Sequence, residues 1–235
     1  MGATHRGGRT ALVTGANRGI GLEVCRQLGR EGMRVYLTAR DAEAGEEAAS
    51  QLRQEGAEIH FLRMDVARRE SVREAAAALA RQGVQVDVLV NNAGILGERG
   101  VLDSPAEEWV ETLSINFFGA LWTSEAFVPA MVRAGYGRVV NVSSGWGSFG
   151  EGLGGPAPYS VSKAALDALT LKLAREVRGD VKVNAVCPGW VRTRMGGPSA
   201  NRGPEQAAQG ILWAATLPES GPTGGLFRDG HPLPW

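Results

Sequence analysis

Apolar and polar positions change period repeatedly along this chain. Thr10-Ala-Leu-Val-Thr14 is a short β-rich apolar run, and behind it Leu22, Cys25 and Leu28 share one helical face that Gly32 closes. The alternation recurs. Met33–Thr38, Ala57–Met64, Val86–Asn91, the run from Arg138 and Val181–Pro188 read as strands, and a last short strand is expected near Gly225-Leu-Phe. Helical patterns run to about Gly56, from Arg68 to Gln82, from Pro158 to Arg178 and from Pro204 to Thr216. Ser104-Pro-Ala-Glu107 has the form of a capping box with proline at the first helical position, so a helix is expected there. Its pattern continues, with a bend, through Trp109, Leu113 and Phe117 to Val132. Strands alternating with helices predict an α/β fold: a doubly wound parallel sheet, Rossmann-like, of about seven strands with helices on both faces. No linker, repeat or low-complexity tract divides the chain, so one domain is expected over residues 10–235, behind a flexible segment 1–9.

Composition narrows the classes. A length of 235 residues is enough for a sizeable core, and 25 basic residues balance 25 acidic ones. That balance leaves no global field to attract nucleic acid or an anionic membrane. No apolar run has membrane-spanning or signal-peptide length, and Arg6 at the sixth position argues against myristoylation of the opening Met-Gly. Cys25 and Cys187 lie far apart in apolar runs and read as buried free thiols, consistent with a reducing, cytoplasmic setting. His5, His60 and His231 lack ligand spacing, so no metal is expected.

Two stretches carry chemistry. In the first, strand, Gly15-Ala-Asn-Arg-Gly19-Ile-Gly21 and helix make a phosphate-binding unit: glycines let the backbone approach a pyrophosphate, and the helix start offers free N–H groups. The second strand ends in Ala39-Arg40 where a carboxylate would meet the ribose of NAD; Arg40, with Arg18 in the turn, instead suits a 2′-phosphate, which favours NADP(H). Asp65 stands where it can bond an adenine amino group, with Val66 supplying the backbone contact, or simply cap the next helix. Asn91-Asn92-Ala93-Gly94 puts small residues beneath a cofactor, with the asparagines as ties to neighbouring strands. In the second stretch, a strand breaks after Asn141-Val-Ser-Ser144 into a glycine-rich loop and enters a helix at Tyr159-x-x-x-Lys163. That spacing stacks phenol and ammonium one turn apart, an arrangement suited to proton transfer in which the ammonium would draw the phenol towards neutrality. The same spacing is also common by chance on exposed helices. Ser144 can add a hydroxyl to the same volume. Asn116, inside an apolar stretch, must find a hydrogen-bond partner.

Taken in order, Thr14-Gly-x-x-x-Gly-x-Gly21, Asn91-Asn-Ala-Gly94, Asn116, Ser144, Tyr159-x-x-x-Lys163 and Pro188-Gly189 resemble the short-chain dehydrogenase/reductase family, compact branch. The Leu-Thr-Ala-Arg40 strand end and the Gly-Pro-Thr-Gly-Gly-Leu-Phe-Arg-Asp tail are similar to those of NADPH-dependent carbonyl reductases. The resemblance implies reduction of a ketone or aldehyde, with a small carbonyl or alcohol substrate and a homodimer or homotetramer. It makes Tyr159 the general acid, gives Lys163 the nicotinamide ribose, sets Ser144 on the substrate carbonyl with Ser143 towards the core, and gives Asn116 a water in a proton relay. Gly15, Asn17, Arg18, Gly19, Ile20, Gly21, Arg40, Asp65, Val66, Asn92, Ala93 and Gly94 would line the cofactor, together with Pro188, Gly189, Val191 and Thr193. Trp146, Phe149 and Trp190 are candidate substrate-pocket walls, and Met195–Asn201 reads as a mobile lid. Two other functions stay open: a reductase of 3-ketoacyl groups on acyl carrier protein, docked by Arg192, Arg194 and Arg202, and a catalytically idle NADP-binding sensor.

Overall fold

The computed structural model describes residues 8–235, so most of the flexible segment expected over 1–9 lies outside the described residues. One sheet organises them, in the order β3-β2-β1-β4-β5-β6-β7-β8. Its strands are β1 (Thr10–Val13), β2 (Arg34–Ala39), β3 (Ile59–Arg63), β4 (Val88–Asn91), β5 (Tyr136–Val142), β6 (Asp180–Val186), β7 (Leu226–Arg228) and β8 (His231–Leu233). The first seven are parallel, as expected, but an eighth adds antiparallel to β7, pairing Leu226 with Leu233 and Arg228 with His231. The link is Asp229-Gly230, both with positive φ (52° and 77°), which is the turn chemistry of a two-residue hairpin.

Both faces of the central strands are dry, and side chains still alternate between them. Ala11 and Val13 of β1 face α1 (Gly19–Arg30), α2 (Ala42–Gln54) and α7 (Pro204–Ala215), through Val24, Leu28, Ala49, Leu52 and Ile211. Leu12 faces the opposite layer, α3 (Arg69–Arg81), α5 (Gly119–Ala134) and α6 (Ala157–Glu176), through Val72, Leu79, Phe127 and Met131. That two-sided burial is why the strands read as continuous apolar runs.

The long helix expected from Ser104 is broken in two. The α4 helix spans Ala106–Leu113, five residues from Ser114 to Phe118 form a π-helical turn, and α5 follows. The capping box does not form: the Ser104 hydroxyl donates to the Gly100 carbonyl at 2.8 Å, and Pro105 precedes the first helical residue. Among the described residues no helix is long and apolar enough to cross a membrane.

Between β1 and β4 the strand order reverses, and at such a switch point the loops after the strands diverge and leave a crevice over the carboxyl edge. The segments after β1, β2, β3, β4, β5 and β6 all emerge along that edge.

Candidate active site

At the switch point the glycine turn packs against the loop after β4. A Cβ added to Gly15, whose φ is +61°, would lie 2.8 Å from Ala93 Cα, and one on Gly21 would lie 2.5 Å from Asn92 Nδ2. Asn92 ties the two loops, donating to the Thr14 carbonyl at 2.9 Å and the Gly15 carbonyl at 3.1 Å, while the Thr14 hydroxyl accepts the Asn92 and Ala93 amides at 3.0 Å each. Asn91 bonds Asn141 of the next strand at 2.8 Å. No side chain caps the start of α1. Arg18 precedes that start, and partial burial, with the Arg194 and Arg40 guanidiniums nearby, lowers its proton affinity. Three cations thus converge where no carboxylate among the described residues answers them. Asp65 turns away from helix capping: its carboxylate accepts the Ala67 amide at 3.1 Å, while α3 begins after Arg68 with no side-chain cap. Val66 is buried, with its side chain against Gly119.

On the other side of the crevice, β5 delivers Ser143 and Ser144. Ser143 is 2 % exposed, turned towards the Asp167 carboxyl, and Ser144 is half-buried beside the Tyr159 phenol, its Oγ also accepting the Trp146 amide at 3.2 Å. Tyr159 and Lys163 lie on the first turns of α6, both buried, with Lys163 Nζ 5.6 Å from the Tyr159 ring centroid. That ammonium donates to the Val142 carbonyl at 2.7 Å. Burial pushes it down to about 8, against an opposing pull from Asp167 and Cys187.

The phenol moves the other way from the sequence expectation. Burial pushes Tyr159 up to about 12; the Ser144 hydroxyl opposes this, and nearby Cys187 and Asp167 add to it. Desolvation therefore outweighs any help from Lys163, and the phenol holds its proton across neutral pH. Asp167, on the same helix face one turn beyond Lys163, is raised by burial to about 7, with Ser143 and Lys163 opposing. Neither of its oxygens takes a well-formed hydrogen bond. The motif pattern does not include Asp167, although its i+4 spacing from Lys163 is visible in the sequence.

Asn116 sits in the π-helical turn, 2 % exposed, and is spoken for. Its Oδ1 accepts the Ile95 amide at 2.8 Å, and its Nδ2 donates to the Ile95 carbonyl at 3.0 Å and to Ser162 Oγ at 2.9 Å. With both amide hydrogens taken, the side chain fastens the loop after β4 to α6. Gly94 leaves a gap between the two polar groups, since a Cβ there would stand 3.3 Å from Asn116 Oδ1 and 3.7 Å from Lys163 Nζ.

The turn after β6 completes the rim. Gly189 adopts φ +78° with Arg202 against it, Val191 is buried, and the Thr193 methyl would lie 3.4 Å from a Cβ on Gly19. The segment read as a mobile lid meets the turn before it: Trp190 Nε1 donates to the Gly196 carbonyl at 2.8 Å and Gly197 N to the Thr193 carbonyl at 2.9 Å, while Arg192 N donates to the Arg202 carbonyl at 2.8 Å across its base. Of the three arginines expected to form a basic patch, one is paired with a carboxylate. Arg192 donates to the Ala200 carbonyl at 3.0 Å and Arg202 pairs with both oxygens of Asp229, while Arg194 alone turns to Arg18. The three aromatic walls are all exposed, and of them Trp146 meets Tyr159 edge-on with centroids 6.2 Å apart.

The crevice thus has uncapped backbone and arginines at one end and serine, tyrosine and lysine at the other. The model for short chain dehydrogenases matches residues 9–202. The chain belongs to the short-chain dehydrogenase family. It is 34 % identical to carbonyl reductase 1 (NADPH) of Mus musculus, covering 96 % of this chain and 98 % of that one. It is 36 % identical over 189 residues to the 3-oxoacyl-acyl-carrier-protein reductase of Pseudomonas aeruginosa, covering 80 % of this chain and 76 % of that one. A variant of actinorhodin polyketide ketoreductase solved with NADPH superposes with a TM-score of 0.85 at 32 % identity, over 97 % of each chain. This chain is therefore an oxidoreductase of a family that binds nicotinamide cofactors and acts on small molecules.

Proposed function

We propose that this short-chain dehydrogenase reduces a ketone or aldehyde to an alcohol with NADPH. The observation that carries the reading is the meeting of the Ser144 hydroxyl, the protonated Tyr159 phenol and the Lys163 ammonium at the switch point, one crevice away from three unanswered arginines. The residues present fit the cofactor: α1 opens without a side-chain cap, Gly15 and Gly94 keep space clear, and Arg18, Arg40 and Arg194 suit its phosphates. Gly15, Asn17, Arg18, Gly19, Ile20 and Gly21 would hold the pyrophosphate end. Asn92, Ala93, Gly94, Pro188, Gly189, Val191 and Thr193 would flank the nicotinamide. When bound, NADPH supplies a hydride to the carbonyl carbon.

The protein's own part is orientation and a proton. Ser144 donates to the carbonyl oxygen and sets the carbon's exposed face. Tyr159, holding its proton at neutral pH, delivers it to that oxygen as charge develops there. Lys163 binds ribose hydroxyls with the donors that Val142 leaves free, and the Asp167 carboxylate favours its ammonium form. Asn116 serves by fastening Ile95 and Ser162, so a relay water would meet its remaining lone pair or a main-chain carbonyl. Tyr159→Phe should abolish turnover, by about 10²–10⁴-fold, while NADPH binds nearly as before. Retained turnover would sink the assignment.

The 3-ketoacyl alternative has the Pseudomonas relative in its favour. Against it, Arg202, one of the three arginines expected to dock an acyl carrier, is paired with Asp229. Competition by acyl carrier protein against a free ketone decides between them. Assembly belongs to the same proposal: Leu102, Val110 and Val161, exposed at 95 %, 65 % and 44 %, lie on or beside the α4 and α6 helices and suit a dimer or tetramer contact. Light scattering that gives a monomer mass would refute it.

A further inference from the structure

The geometry points to a second role for the carboxy-terminal hairpin, in which residues 228–235 clamp the loop between Ser144 and Tyr159 and so fix the aromatic wall over the proton donor. The loop carries six glycines from Gly145 to Gly155 and one strained residue, Leu153, with φ 49°. Left to itself it would have the freedom to sample many conformations. Three attachments remove that freedom, and all lead to β7, β8 and the residues just beyond. The Ser148 hydroxyl donates to the Pro234 carbonyl at 2.7 Å while accepting the Glu151 amide at 3.0 Å. The Gly150 amide donates to the Trp235 carbonyl at 2.8 Å. Glu151 pairs through both oxygens with Arg228 of β7, at 2.6 and 3.1 Å.

Arg228 also holds the near end of the loop. Its guanidinium donates to Cys187 Sγ at 3.3 and 3.4 Å, and the same sulfur accepts the Gly145 amide at 3.1 Å. The start and the middle of the loop are thereby joined through one side chain. Gly145 is required for this, because a Cβ there would run into the Glu151 carboxylate and the Arg228 guanidinium. The held loop presents Trp146, backed by Gly154 and Gly155, whose added Cβ atoms would lie inside the indole contact distance. Trp146 in turn meets the Tyr159 ring at 90°.

Glu151, Arg228 and the Pro234–Trp235 end are therefore positioning residues that set how the pocket wall stands over Tyr159. The part of this inference that concerns substrate rests on the reductase reading; the clamp itself does not. The test uses the full chain, its Glu151→Ala and Glu151→Gln variants, and a chain ending at Leu233, each compared by amide hydrogen exchange and by kcat and KM for a bulky aryl ketone. Losing the clamp bonds should speed exchange at Gly150 and Leu153 by about ten- to thirty-fold, as opening of the loop becomes that much easier. KM for the ketone should rise by roughly ten-fold with NADPH affinity unchanged, and Glu151→Gln should recover most of both effects. Unchanged loop exchange in Glu151→Ala overturns the clamp, even if the shortened chain fails to fold. Faster exchange with unchanged KM and kcat overturns its role in positioning. Failure of the reductase reading shows separately, as turnover retained by Tyr159→Phe with the exchange pattern intact.

Discussion

Two cations are buried among the described residues, and the chain treats them differently. Arg138 lies near the start of β5, 1 % exposed, with every direction of its guanidinium used: Leu217 O at 2.8 Å, Gly137 O at 2.8 Å, Asp180 O at 2.7 Å and Asp180 Oδ2 at 2.9 Å. It also stacks 4.4 Å above the Tyr136 ring. Lys163, on α6 beside the other end of the same strand and 4 % exposed, has one carbonyl partner and an unbonded carboxyl in its neighbourhood. A fully satisfied charge fastens the fold; one left with spare donors is held ready for something else. The opposite edges of one sheet thus divide the labour, the amino edge bracing β5 and β6, the carboxyl edge leaving groups unfinished where a ligand completes them.

Exchanging each cation for methionine tests that division most severely. Lys163→Met should lower kcat/KM about a thousand-fold, through lost ribose binding and lost support of the proton donor, while its thermal midpoint holds or rises. A fall in stability as large as that of Arg138→Met would erase the contrast. Arg138→Met should cost about 3–5 kcal/mol in denaturant unfolding, because Asp180 and three carbonyls lose their partner, with the folded fraction keeping wild-type kcat.

This division is half legible in the sequence. The carboxyl-edge motifs announce themselves because a glycine turn or a Tyr-x-x-x-Lys pair works over a few residues, and so survives as a local pattern. Arg138 does not: nothing near it in the chain tells of Leu217 or Asp180, which come from 79 and 42 residues away. The direction of the Tyr159 shift is hidden for a related reason, since burial is a property of the assembled layers and the lysine is a property of the spacing. Ser104 fails as a cap because the Gly100 carbonyl, four residues back, competes for its hydroxyl. The β7–β8 hairpin is in plain view as Asp229-Gly230, a signal overshadowed by the short strands on either side.

Asp167 sharpens the comparison from the acidic side. Its carboxyl is raised to about 7, so between pH ~4 and ~7 the folded chain keeps a proton that the unfolded chain has released. Stability contributed by this group therefore falls as pH rises through that window and stays low above it. Asp167→Asn should match the wild type near pH 4 and exceed it by roughly 2 kcal/mol at pH 8, in urea titrations at the two pH values. The same change withdraws the negative charge that favours the Lys163 ammonium, so any limb of the pH–rate profile near pH 8 should move to lower pH. An Asn variant less stable at pH 8 than the wild type would mean the carboxylate is satisfied after all, and the carboxyl edge no more unfinished than the amino edge.

The smallest effect concerns cations that are not buried. Arg40 is exposed and meets no carboxylate among the described residues, and both it and Arg194 stand near Arg18. Exposed like charges gathered without an anion cost little in water, yet they give a dianionic phosphate a bidentate partner at no reorganisation. Arg40→Ala should weaken NADPH about ten-fold in a fluorescence titration and leave NADH within about two-fold, the gap narrowing as salt is added. Arg194→Ala shows whether the turn after β6 also contributes. A loss confined to NADPH assigns that arginine to the 2′-phosphate, and an equal loss for both cofactors assigns it to the pyrophosphate. Equal affinities for the two cofactors in the wild type would make Arg40 a surface charge and tilt the reaction towards alcohol oxidation. The unfinished edge would then stop at the glycine turn.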